Sequence, residues 1–98
     1  RRATESGAMT AEPPERRCWL VERTFGDEDL VTLVYATPDG RLAHHRQRAT
    51  SQLFHNPTTA SIEVPEADLQ PVEDPAERDR YAKEAERLMD DNGPDDHV

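Results

Sequence analysis

The chain is short of cysteine, lysine, aromatics and apolar runs: 98 residues hold one Cys, one Lys and five aromatic side chains. A lone thiol, Cys18, excludes an intramolecular disulfide framework and fits a reducing, cytoplasmic setting. No apolar stretch approaches the roughly 20 residues that cross a bilayer, and no signal-peptide core is recognisable, so no membrane partner is expected. Apolar residues make up 34 %, and even with the four glycines the share stays under the roughly 45–50 % of ordinary globular chains. The core must be small, and a chain this lean can complete it with a second copy of itself.

Known catalytic patterns are missing too. The sequence has no Gly-rich phosphate loop, no Gly-x-Ser-x-Gly elbow and no carboxylate pair in apolar surroundings. Four candidate zinc ligands exist, Cys18, His44, His45 and His55, but none has Cys-x-x-Cys or His-x3-His spacing. Adjacent histidines on a strand point to opposite faces, so His44 and His45 cannot easily share an ion. A non-enzymatic protein without metal or other cofactor is the expectation.

Acid is what the chain has in abundance. Asp and Glu number 21 against 12 basic residues, of which only Lys83 is not arginine, for a net charge of −9. Short carboxylates with few ammonium groups suit high salt, where a Debye length of about 3 Å at 1 M removes most self-repulsion. A high-GC genome also favours Arg over Lys and is the plainer alternative. The charge is segregated: residues 1–40 carry −3, 41–57 carry +3 and 58–98 carry −9.

The pattern along the chain is α+β. Residues 1–16 lack apolar periodicity and read as disordered, with Met9 a candidate natural start. Residues 17–91 form one domain, and Asn92-Gly93-Pro94 stops the last helix and leaves an acidic tail within a disordered 92–98 segment. Strands are expected over 17–24, 30–36, 41–48 and 58–64, making a small antiparallel sheet of three to four strands. Leu30–Ala36 is apolar on both faces and reads as central. Thr37-Pro38-Asp39-Gly40 is a turn joining it to the basic strand. A short helix near 49–55 carries Leu53 and Phe54, and a connector over 65–73 is anchored by Leu69 and Val72. The C-terminal helix has Asp74 as N-cap, Pro75 at the first position and an apolar stripe of Tyr81, Ala82, Ala85, Leu88 and Met89.

Two sets of residues stand out. Arg41, Arg46 and Arg48, in the only basic island, are candidate anion contacts. The competing reading is a solvated edge strand kept from aggregating by its charge, because no aromatic interleaves the cluster and the rest of the domain repels a polyanion. Trp19, Val21, Val31, Leu33 and Tyr35 are the second set. One helix covers one sheet face, so these residues, or else the Leu20 and Val34 set on the opposite face, are candidates for a dimer face. The alternative is that the short helix and the connector cover that face within one chain.

Three runs of sequence carry a resemblance: Trp19–Phe25, Leu30–Gly40 and Val72–Tyr81. Over Cys18–Asp91, about three-quarters of the chain, the sequence resembles small acidic haloarchaeal proteins of unknown function. The resemblance implies a salt-adapted archaeal cytoplasmic protein and brings no activity or site residue with it. The expected role is therefore association: a homodimer, acting as a small regulatory or adaptor subunit for an unknown protein partner. The alternatives are a nucleic-acid-associated protein using the 41–48 strand, and a small-ligand-binding module.

Overall fold

The computed structural model of the chain describes residues 14–98, apart from Asp27, Asn56 and the side chain of Phe54. The disorder expected for 1–16 and the start at Met9 fall outside the described residues as far as position 13; Glu15 and Arg16 already belong to the first strand. The elements are β1 (Glu15–Phe25), β2 (Leu30–Ala36), β3 (Leu42–Ala49), α1 (Thr50–His55), β4 (Ser61–Pro65), a 3-10 turn (Glu66–Asp68), β5 (Gln70–Pro71) and α2 (Pro75–Asp91). The architecture is α+β, with all strands antiparallel in the order β4-β1-β2-β3-β5.

Five strands form the sheet rather than three to four. The extra one, β5, is two residues inside the expected connector, too short to show periodicity. Its Pro71 lacks an N–H and is tolerated because it lies on an edge. β2 occupies the centre, as its two apolar faces require.

α2 packs on one face of the sheet. Asp74 caps it by accepting the Ala76 N–H at 3.0 Å, and Tyr81, Ala85 and Leu88 are buried at i, i+4, i+7 spacing. Met89 leaves the expected stripe and is exposed, since it follows Leu88 by about 100° around the helix. Beneath α2 lie Trp19, Val21, Val34, Ala36 and Ala43.

The opposite face is covered by the same chain. The β3–β4 connection must run from the fourth strand position to the first, and it carries α1 across this face. The β4–β5 connection returns the other way. Leu53 and Leu69 from these connections pack on Cys18, Leu20, Val31, Leu33, Tyr35 and Val64. Burying each large side chain there contributes about 1.5–3 kcal/mol.

Segment 92–98, expected to be free, is tied down. Ala60 N–H donates to the Asp96 carbonyl at 2.7 Å, Ser61 N–H to Pro94 at 3.1 Å, and Val98 N–H to Thr58 at 3.1 Å. Ala60 and Ser61 are buried, so their N–H groups need acceptors. Main-chain carbonyls supply them, and an acidic side-chain pattern gives no hint of that. Val98 contacts both core clusters.

Candidate anion-binding crevice

Strand parity would keep Trp19, Val21, Arg23 and Phe25 on one face of β1. It does not, because β1 contains a bulge. Leu20 pairs with Tyr35 and Glu22 with Val34, leaving Val21 as the extra residue. Val21 and Glu22 therefore both face α2, where Glu22 meets Arg80 at 2.6 Å. Arg23 and Phe25 turn to the opposite face, opposite Leu33 and Val31 of β2.

β3 completes two rows across that face. Arg46 pairs with Leu33 and Arg48 with Val31, so the rows read Arg23–Leu33–Arg46 and Phe25–Val31–Arg48. The outer members stand about 10 Å apart, two strand spacings. The Arg46 guanidinium lies 5.8 Å from the centre of the Tyr35 ring.

Over these rows passes the α1 crossover. Between it and the sheet is a crevice of about 190 Å³, floored by Leu33, Tyr35 and Ile62, walled by Arg46 and Arg48, and closed by Leu53 and Pro57–Thr59. A second hollow of about 230 Å³ shares Leu53, Pro57 and Thr58 and adds Arg23, Phe25, Thr50 and Val98. Phe25 is 65 % exposed beside it. Burial raises the Tyr35 pKa, with Arg46, Arg48 and Arg23 pulling it down less strongly, so the phenol remains an O–H donor at neutral pH.

Ion pairing divides the basic side chains into two groups. Arg16, Arg17, Arg80, Lys83 and Arg87 each have a carboxylate within ion-pair distance, for instance Arg17 with Glu63 at 3.3 Å and Lys83 with Asp79 at 2.9 Å. Among the described residues, Arg23, Arg41, Arg46, Arg48 and Arg78 have none, in a chain of 21 carboxylates; Arg78 donates instead to the Val72 carbonyl.

Of the expected anion contacts, Arg46 and Arg48 come together and Arg41 does not. Arg41 sits at the turn end of β3 with the parity of the α2 side. Its N–H donates to Asp39 Oδ1 at 2.9 Å and its carbonyl accepts from Val72 N–H at 2.8 Å. Tyr35, Thr58 and Thr59 line the crevice instead, and Arg23 lines the hollow beside it, turned to this face by a bulge that no single residue announces.

The expected dimer set divides as well. Trp19 and Val21 lie under α2, whereas Val31, Leu33 and Tyr35 lie on the other face under the crossovers. The register pairs Trp19 with Ala36 and Leu20 with Tyr35, which fixes this division. All five side chains are buried within one chain and offer no common surface to a second copy.

The histidines lie elsewhere. His44 and His45 flank the outer edge of β3, lining an open hollow of about 440 Å³ with Asp68 and Gln70. Among the described residues, no group of three or more His, Cys, Asp or Glu side chains could hold a metal ion. Cys18 is fully buried with its thiol toward the Arg16 carbonyl at 3.7 Å. Burial pushes its pKa up to about 11, with Arg16 opposing. Its thiolate share at pH 8 is on the order of one in a thousand. A disulfide reagent at pH 8 is therefore expected to modify Cys18 only after denaturant is added, and rapid modification of the folded protein would refute the burial described.

No described helix is long and apolar enough to cross a membrane. Neither a curated protein nor a solved structure matches the chain. A family profile matches residues 12–98, nearly the whole length: the chain belongs to the family of unknown function DUF7967.

Proposed function

We propose that this protein works by binding, without catalysis, and that it holds an anionic group of a partner in the crevice walled by Arg46 and Arg48. The observation behind this reading is a convergence of unpaired charge: of the five arginines with no carboxylate partner among the described residues, Arg46 and Arg48 wall the crevice and Arg23 lines the hollow beside it. Arginine binds phosphate and carboxylate bidentately, and Tyr35 adds a phenolic O–H to the same space, whereas the Thr58 and Thr59 hydroxyls donate to the Val98 and Ser61 carbonyls.

Inorganic pyrophosphate is the probe. Arg46→Ala combined with Arg48→Ala should weaken its calorimetric dissociation constant about thirtyfold, the loss of two half-exposed charge-assisted contacts. Arg41→Ala should leave it within twofold. Equal loss from Arg41→Ala would mean diffuse attraction and would overturn the crevice.

A second reading, single-stranded nucleic acid, draws on Phe25, an exposed ring beside Arg23 on which a base could stack. It requires Phe25→Ala to weaken binding of oligothymidylate while leaving pyrophosphate unchanged.

The proposal includes salt adaptation in a cytoplasmic, archaeal setting, supported by the net charge of −9 and by the scarcity of lysine. Screening of that repulsion should raise the melting temperature by about 5 °C between 0.1 and 2 M KCl, because the surface ion pairs lost to salt are worth little. A fall in melting temperature over that range would exclude it.

A further inference from the structure

Among the described residues, the main chain at the outer edge of β3 is unpaired beyond Ala43, and the Asp68 carbonyl lies 3.4 Å from His44 Nδ1 beside it. β5 pairs only with Leu42 and Ala43. Continued along β3, its chain would cover His44 and His45; instead Leu69 dives onto the sheet face beside Cys18 and Val64. The direction of the backbone groups follows from three hydrogen bonds. The Leu42 carbonyl faces inward and accepts from Thr37 N–H, Thr50 N–H donates inward to the Asp29 carbonyl, and Val72 N–H reaches the outward Arg41 carbonyl. Alternation then turns the N–H and C=O groups of Ala43, His45, Gln47 and Ala49 outward. Ala43 lies within the short β5 pairing, and the Gln52 side chain accepts the Ala49 N–H at 3.1 Å. His45 and Gln47 remain, with two donors and two acceptors and no partner among the described residues.

We infer that this edge accepts an acidic, extended segment of another polypeptide as an added strand, with its main chain on His45 and Gln47 and its carboxylates on Arg46 and Arg48. Charge decides the occupant. A strand beside β3 places alternate side chains next to Arg46 and Arg48 on the crevice face. A second copy pairing antiparallel through its own β3 would set Arg46 against Arg46 or, one register on, Arg46 against Arg48, which like charge disfavours. The inference rests on the crevice reading, since the same arginines supply its charge.

The probe is the capped peptide Glu-Val-Glu-Val-Glu-Val-Glu, titrated into the full chain alongside pyrophosphate. Gln47→Pro removes one outward N–H at an edge position that tolerates proline. It should weaken the peptide at least tenfold and leave pyrophosphate within twofold. Arg46→Ala with Arg48→Ala should weaken both ligands. Should Gln47→Pro disturb folding by circular dichroism, the peptide N-methylated at its valines makes the same test on the unaltered protein and should likewise bind at least tenfold more weakly. Three results overturn strand addition. One is peptide binding unchanged by Gln47→Pro or by N-methylation. Another is failure to bind at millimolar peptide while pyrophosphate still binds, which leaves the crevice standing. The third is an oligothymidylate that outcompetes the peptide and is indifferent to Gln47→Pro, which reassigns these cations to nucleic acid.

Discussion

Alanine at Gly40 is expected to cost about 4 kcal/mol of folding stability, a large share of the roughly 4–13 kcal/mol available to a domain of this size. Gly40 closes the β2–β3 turn, donating its N–H to the Thr37 carbonyl at 2.8 Å with φ at +73°. The positive φ alone costs alanine about 1 kcal/mol. The remainder is steric. A Cβ there would overlap the Arg78 carbonyl oxygen and lie 3.0 Å from Ala82 N, both in the backbone of α2. A helix backbone cannot rotate aside as a side chain can, so α2 must lift from the sheet. Gly40→Asn separates the two causes, because asparagine accepts positive φ but brings the same Cβ. Urea denaturation should show both variants losing several kcal/mol. Recovery of most of the stability by asparagine would show that the close approach of turn and helix is wrong.

Leu33→Ala should remove about 3–4 kcal/mol. Leu33 is 1 % exposed on the central strand, where neighbours on both sides and the crossover above hold the walls of any cavity apart. The informative part of the measurement is its concentration dependence. If the crossovers bury Leu33 within one chain, as its contacts with this core show, the loss is the same at 5 and at 500 μM protein. Were Leu33 buried by a second copy, unfolding would be coupled to dissociation and the midpoint would climb with concentration. A climbing midpoint would return Val31, Leu33 and Tyr35 to an interface and remove the crevice floor with them.

Local rules made much of the fold readable. Asp74 and Pro75 mark the start of α2, the Thr37–Gly40 turn sets the β2–β3 hairpin, and the two apolar faces of Leu30–Ala36 place β2 at the centre. What could not be read depends on contacts between distant parts of the chain. Leu69 and Leu53 look like isolated apolar residues in polar connectors, and only strand order shows that both connectors cross one face. The carbonyls of Pro94 and Asp96 serve buried amides some 35 residues away, a role independent of side-chain identity. Of the site, the basic strand supplied Arg46 and Arg48. The other half of the arginine row was hidden by register, since strict alternation puts Arg23 on the wrong side.

That displacement divides β1 into two stretches under different constraints. Upstream of Val21, its alternation is locked to the hydrophobic interior, and any change of phase there exposes Trp19 or buries charge. Downstream, the phase has been reset, and Arg23 and Phe25 point where the interior makes no demand on them. One inserted residue thus uncouples the part of the strand that must pack from the part that packing leaves free. Substitutions at 23 and 25 are expected to cost the protein little stability, while the same changes at 19 or 21 would not be tolerated.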